Sequence, residues 1–135
     1  MANAPLPAAT VSLLECEIDG ERLVELTAVL PPLILAGIGR LFDLTDQNAT
    51  LSTVFVHESL RRRGIGTQLV RAATAWAAEH GLTLYLQVHP DNPARHLYRA
   101  EGFEDCDGQK TDEGHLWLIK PAHEGRLQRE EVPGA

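Results

Sequence analysis

A strand pattern passes through a glycine-bearing turn directly into an amphipathic helix, and few folds accommodate this order. Residues 49–56 (ATLSTVFV) are rich in residues that favour β-strands. Apolar residues then recur at helical spacing over residues 65–80, and Gly81 ends that pattern. Residues 82–88 again favour a strand. Because a helix separates two strands, the sequence predicts an α/β domain with a parallel strand pair at its centre.

The segment before this unit predicts a hairpin. Residues 14–18 and 24–30 alternate apolar and polar side chains, which is the period of a half-buried strand, and Asp19-Gly20 between them favours a tight turn. Residues 33–47 combine an apolar helical spacing with two glycines that weaken a helix. They are compatible with a loop that contains either a short strand or a short helix.

The segment after this unit predicts a short helix and two strands. Asp91-Asn92-Pro93 combines an N-cap with a proline at the first helical position, so a helix should run through Glu101. Phe103 onward and residues 115–120 favour a strand pair joined by a turn over residues 107–114. We therefore expect one domain over residues 10–120, with flexible tails at residues 1–9 and 121–135.

Composition excludes several classes of function. Twelve basic against nineteen acidic residues give a net charge of −7, whereas neutralising nucleic-acid phosphates needs the opposite sign. The longest apolar run, residues 30–38, is interrupted by prolines and is much shorter than the ~20 residues that span a bilayer. The first ten residues do not resemble a secretory leader. We expect a cytoplasmic protein that binds neither nucleic acid nor membrane, and no metal, because the histidines share no ligand spacing.

The turn before the long helix has the features of an anion site. Gly64 and Gly66 permit a positive φ and close approach of a ligand, and the first N–H groups of the helix attract an anion such as pyrophosphate. Three arginines, Arg61, Arg62 and Arg63, add charge that suits phosphate. The turn lacks the lysine of a P-loop and the third glycine of a dinucleotide fingerprint. A tight loop without a ligand is the alternative.

Two motifs resemble those of the GNAT N-acetyltransferase superfamily. Arg61-x-x-Gly64-x-Gly66 is similar to its acetyl-CoA-binding motif, and residues 94–103 (ARHLYRAEGF) are similar to its A-x-x-L-Y-x-x-x-G-F helix ending. The resemblance covers about residues 49–119. It implies a mixed central sheet with a splayed parallel strand pair flanked by helices. The N-terminal helical region is expected to be shortened, because the residues before Arg61 predict at least two strands and at most one helix.

The resemblance also implies a role for each matching residue. The strand backbone would pair with the pantetheine arm of acetyl-CoA, and the N–H of Val56 or its neighbour would polarise the acetyl carbonyl. The N–H groups of residues 62–67 would hold the pyrophosphate. Tyr98 would be the catalytic acid that protonates the departing thiolate. The implied cofactor-binding residues are Val54, Phe55, Val56, Arg61, Arg62, Arg63, Gly64, Ile65, Gly66, Thr67, Asp91 and Asn92.

The sequence departs from the family pattern in two places. Asp91 stands where the family usually has an asparagine, and Asn92 follows it. The strand over residues 49–56 carries no carboxylate, although many members use one there as a general base acting through water. The remaining candidates for the base are Glu15, Glu17, Glu25, Asp43 and His89.

The implied function is transfer of an acetyl or other short acyl group from acetyl-CoA to a primary amine by direct attack. The acceptor would be a small molecule or a lysine side chain, and the acidic charge favours a cationic one. A catalytically weak acyl-CoA-binding module that regulates a partner is the main alternative. An RNA-acylating toxin is a second one, disfavoured by the acidic charge. The short N-terminal half predicts an acceptor site that is open or completed by a second subunit of a homodimer.

Overall fold

The computed structural model of the protein describes residues 9–31 and 33–122. Most of both predicted tails therefore lies outside the described residues. Ala9, assigned from the sequence to the first tail, is buried in the core. The structure contains seven strands and two α-helices: β1 Thr10–Ile18, β2 Glu21–Leu30, β3 Ile34–Phe42, β4 Asn48–Val56, α1 Ile65–Glu79, β5 Thr83–Val88, α2 Ala94–Ala100, β6 Glu104–Lys110 and β7 Leu116–Lys120. A 3-10 helix, Glu58–Leu60, follows β4.

The strands form one mixed sheet in the order β1-β2-β3-β4-β5-β7-β6. Every neighbouring pair is antiparallel except β4 and β5, which the α1 crossover makes parallel. The predicted hairpin of β1 and β2 is confirmed, with Asp19 and Gly20 at positive φ in its turn. The ambiguous segment 33–47 contains β3 rather than a helix.

The parallel pair separates partway along its length. Pairing between β4 and β5 covers Asn48 to Leu51 on one strand and Thr83 to Leu86 on the other, and both strands continue beyond it. The predicted splayed pair is thus confirmed. Within the described residues neither helix is long and apolar enough to cross a membrane.

The helices cover one face of the sheet. Ile65, Leu69 and Ala73 of α1 are buried in one cluster with alternate residues of the strands, such as Leu26 and Leu84. The strand residues that come directly before and after these buried ones lie on the opposite face, because side chains alternate along a strand. Among the described residues before Ile65, the 3-10 helix is the only helix, so these residues place no α-helix on the opposite face.

The turn between β6 and β7 is shorter than the sequence predicted. The prediction placed it at residues 107–114, whereas β6 continues to Lys110 and pairs there with Leu116. Thr111 closes the connection: its carbonyl accepts from the N–H of Gly114 and its hydroxyl accepts from the N–H of His115. One threonine and a glycine at φ +85° are enough to complete this turn. The residues up to Lys110, which the sequence predicted to be part of the turn, therefore belong to β6.

Gly37 fixes how closely α1 packs on the sheet. A Cβ at this position would lie 2.9 Å from the carbonyl oxygen of Phe55 and 3.0 Å from Cδ1 of Leu69. The first of these atoms belongs to the backbone of β4 and cannot rotate away. A Cβ on Gly39, two residues further along β3, would lie 3.8 Å from its nearest neighbours, Leu26 and Val54. Of these two glycines, Gly37 is the one that the packing requires.

We expect Gly37→Ala to destabilise the fold by about 1–3 kcal/mol, because the added methyl group overpacks the contact between β3, β4 and α1. Chemical denaturation measures this change. Gly39→Ala is the matched control and should change stability by less than about 0.5 kcal/mol. Equal losses in the two variants would contradict the packing argument.

Candidate functional site

A cleft of about 500 Å³ opens where β4 leaves β5. Three segments line it: the end of β4, the turn that leads into α1, and the start of α2. Eleven of the thirteen residues that the resemblance assigns to acetyl-CoA binding and to the catalytic acid line this cleft, and Arg63 and Asp91 lie outside it. The lining residues are Val54, Phe55, Val56, Arg61, Arg62, Gly64, Ile65, Gly66, Thr67, Asn92, Pro93, Ala94, Leu97 and Tyr98.

The end of β4 presents backbone groups to the cleft. The N–H of His57 donates to the carbonyl oxygen of Ala36 in β3 at 2.9 Å. Because successive residues of a strand point their N–H and C=O groups to opposite edges, those of Val56 point away from β3. The carbonyl oxygen of Val56 accepts instead from Nε of Arg61 at 3.1 Å. The Val56 N–H therefore faces the gap that β5 leaves.

A β-bulge lies just before this open edge. Ile38 pairs with Phe55 and Arg40 with Ser52, so one residue of β3, Gly39, faces two residues of β4. A bulge bends its strand and increases the local twist. This bend coincides with the end of pairing to β5 and gives a physical reason for the gap. The sequence did not reveal the bulge.

The turn into α1 presents an uncapped helix N-terminus. Arg62 and Gly64 both adopt positive φ, +68° and +79°, and Gly64 is the N-cap residue without a side-chain hydrogen bond. The first N–H groups of a helix have no intrahelical acceptor, and here Ile65, Gly66 and Thr67 line the cleft. The turn therefore offers several backbone donors to an anion.

The arginines of the turn differ in their contacts. Arg61 braces the turn against β4 through its bond to Val56 and by placing its guanidinium over the ring of Phe55, 5.6 Å from the centroid. Arg62 lines the cleft at its exposed rim. Arg63 is exposed and lies outside the cleft.

At the start of α2 the structure separates Asp91 from Asn92. The side chain of Asp91 is 93% exposed and points out of the cleft lining. Asn92 lines the cleft, and its Oδ1 accepts from the N–H of Ala94 at 2.9 Å, so it caps α2. The cap that the sequence predicted at Asp91-Asn92-Pro93 is thus formed by Asn92.

Tyr98 faces the same cleft from α2. Its ring packs edge-to-face on Phe103 with centroids 5.9 Å apart. Burial raises the pKa of its phenol above the ordinary value of 10.0. The hydroxyl makes no hydrogen bond to the residues that the structure describes. Tyr98 is therefore a protonated phenol with its donor available in the cleft.

A second cleft, of about 410 Å³, lies on the opposite face of the sheet. It is lined by Asp43, Thr45, Asn48, Thr50, Tyr85, Cys106 and Trp117. Thr50 and Tyr85 are a paired couple of β4 and β5, immediately before the last pair, Leu51 and Leu86. This cleft therefore begins beside the gap, across the sheet from the first cleft. Sequence reasoning singled out Asp43 but missed the cleft, because its lining comes from five separate strands and turns.

The five candidates for a general base are not equivalent. Glu25 is bound by Arg40 at 2.6 Å, and Glu15 lies 3.9 Å from Arg22. His89 accepts from the N–H of Asp91 through Nδ1 at 3.0 Å. Of the five residues, only Asp43 lines either cleft. Within the described residues no group of three histidine, cysteine or acidic side chains forms a metal site.

The sequence profile described as "Acetyltransferase (GNAT) family" matches residues 9–103, and the chain belongs to this family. No curated protein matches the chain.

Solved structures of similar fold include three enzymes. The ribosomal-protein-S18-alanine N-acetyltransferase of Escherichia coli is 20% identical, with a TM-score of 0.67 over 84% of this chain and 94% of that one. The PaiA N-acetyltransferase of Thermoplasma acidophilum, solved with coenzyme A, is 22% identical, with a TM-score of 0.63 over 73% and 60%. The aminoglycoside 6′-N-acetyltransferase of Enterococcus faecium is 17% identical, with a TM-score of 0.63 over 75% of each chain. These likenesses confirm the predicted fold class.

Proposed function

We propose that the protein transfers an acetyl or other short acyl group from acyl-CoA to a primary amine. The observation that carries the proposal is the meeting of the open β4 edge, the uncapped start of α1 and the Tyr98 phenol in one cleft. Family membership and a neighbour of the same fold solved with coenzyme A support acyl-CoA as the donor. The amine acceptor is supported by the neighbours named as N-acetyltransferases.

In this proposal the first cleft receives the pyrophosphate, the pantetheine arm and the thioester of acyl-CoA. The N–H groups of residues 62–67 hold the pyrophosphate at the positive end of the α1 dipole, beside Arg62. The free edge of β4 at Val54 and Val56 pairs with the amides of the pantetheine arm as an added strand would. The thioester then lies in the gap between β4 and β5, where the Val56 N–H donates to its carbonyl oxygen.

The transfer needs one nucleophile and one acid. The amine nitrogen attacks the thioester carbonyl carbon, and the C–S bond breaks. Tyr98 gives its proton to the leaving sulfur as the C–S bond breaks. Because burial raises the pKa of its phenol, Tyr98 remains protonated at neutral pH and can donate to the developing thiolate at hydrogen-bond distance. The nitrogen releases its proton to water, and water returns a proton to the phenolate.

A second candidate function is an acyl-CoA-binding module that regulates a partner without fast turnover. The observation that favours it is the composition of β4, whose residues Asn48–Val56 include no carboxylate. Both candidates require acyl-CoA in the first cleft. Only the transferase requires the Tyr98 hydroxyl.

Acetyl-CoA binding is tested by thermal unfolding, with ATP and NAD as controls. At one hundred times its Kd, acetyl-CoA should stabilise the protein by about 2.7 kcal/mol. Gly64→Ala should weaken acetyl-CoA binding about tenfold, because a Cβ at φ +79° strains the turn that holds the pyrophosphate.

The matched control is Gly114→Ala in the β6–β7 turn. Gly114 has φ +85° and equally open surroundings, but it lies outside the first cleft. This variant should lose similar folding stability and keep the acetyl-CoA affinity. If acetyl-CoA gives no more stabilisation than ATP, or if both glycine variants bind acetyl-CoA equally well, the proposed acetyl-CoA site is wrong.

Tyr98→Phe should lower kcat by about 100-fold or more, because it removes the only proposed proton donor to the thiolate. Its acetyl-CoA affinity should stay within about twofold, since the ring and its contact with Phe103 are retained. Steady-state kinetics and calorimetric titration measure the two quantities. An unchanged kcat in this variant would remove Tyr98 from the mechanism.

The pH dependence follows from the absence of a carboxylate on β4 and from the raised pKa of Tyr98. For a simple alkylamine, kcat/KM should rise about tenfold per pH unit from pH 7 to 9, because the neutral fraction of such an amine rises at that rate. Tyr98 stays protonated across this range, so it adds no alkaline decline. A plateau that begins near pH 7 would reveal a protein base and contradict this account.

A further inference from the structure

The second cleft combines two aromatic rings with an unpaired carboxylate. Tyr85 and Trp117 are half-buried and pack edge-to-face with ring centroids 6.2 Å apart. The carboxylate of Asp43 is exposed at the same cleft and makes no hydrogen bond or ion pair to the residues that the structure describes. An alkylammonium ion is recognised by aromatic faces together with a carboxylate.

We propose that this cleft binds a second, cationic nitrogen of the acceptor, which makes the acceptor a diamine or polyamine. One amine reacts with the thioester in the gap, and the other remains an ammonium ion held by Asp43 and the rings of Tyr85 and Trp117. This inference rests on the proposed transferase function and adds the chemical class of its acceptor.

The charges around the cleft favour a cation. Arg40 lies on the same sheet face, but Glu25 neutralises it at 2.6 Å. Arg22 shares a neighbouring surface depression with Asp43, and it lies 3.9 Å from Glu15. Among the residues that line the cleft, Asp43 is the one with a charged side chain, and its charge is negative.

The position of the cleft relative to the gap sets the shape of the acceptor. Thr50 in the cleft lies two residues before Ser52, where pairing to β5 has ended, and four residues before Val54 in the first cleft. A regular strand rises about 3.3 Å per residue, so Thr50 and Ser52 are roughly 7 Å apart. The bulge keeps the distance from Thr50 to Val54 below the roughly 13 Å of a regular strand. The two nitrogens of the acceptor must therefore be separated by a flexible linker of several methylenes.

The conformation of Asp43 allows a clean test of its charge. Asp43 has φ +51°, a left-handed conformation that asparagine also adopts readily. Asp43→Asn therefore removes the charge without straining the turn. Asp46→Asn is the matched control, because Asp46 lies in the same turn and outside the cleft lining.

The experiment compares 1,6-diaminohexane with hexylamine as acceptors for acetyl-CoA. These probes share a chain length and differ in the second ammonium ion. The unsubstituted protein should show a kcat/KM at least tenfold higher for the diamine than for hexylamine. This ratio is counted after division by two, because the diamine has two equivalent amines. Asp43→Asn and Trp117→Leu should reduce that preference to less than threefold, and Asp46→Asn should keep it.

Calorimetric binding of 1,6-diaminohexane to the protein loaded with CoA gives a second readout that needs no turnover. The diamine should bind, and Asp43→Asn should weaken its binding about tenfold. If the protein binds acetyl-CoA and acetylates both probes equally, or if Asp46→Asn acts like Asp43→Asn, the inference is overturned while the proposed function stands. If acetyl-CoA does not bind, the proposed function fails, and absence of diamine binding would then also overturn the inference.

Discussion

β4 and β5 separate partway along their length, and the positions of both clefts follow from that separation. Pairing ends at Leu51 and Leu86, although both strands continue. In a closed sheet the N–H of Val56 would be used by a neighbouring strand, and an unpaired backbone group in a packed interior is unfavourable. The bulge opposite Gly39 bends β4 away and turns that edge into the wall of a cleft.

The two faces of the sheet present different chemical groups beside the gap. On the helical face, the start of α1 and the side of α2 supply backbone donors and a phenol. On the opposite face, the β3–β4 turn, β5 and β7 supply a carboxylate and two aromatic rings. Since no α-helix precedes Ile65 in the described chain, this second face remains open to an acceptor. In the function that we propose, the donor and the acceptor approach one gap from opposite sides of the sheet.

Local patterns were sufficient to predict the parts of the fold that are contiguous in sequence. The α1 stripe, the turn at Gly64 and the Asn92 cap each depend on a few neighbouring residues, and the structure contains all three. The role of Gly37 was not predictable, because its close neighbours, Phe55 and Leu69, are distant in the sequence. The second cleft was missed for the same reason. Its residues are brought together only by strand order.

Amide hydrogen exchange with and without saturating acetyl-CoA shows whether acyl-CoA covers the free edge of β4 and the start of α1. Acetyl-CoA should slow exchange at Val54, Val56 and the N–H groups of residues 64–67, and leave the turn at Gly20 unchanged. If acetyl-CoA binds and leaves the β4 amides unprotected, or protects a different edge of the sheet, the account of the gap is wrong.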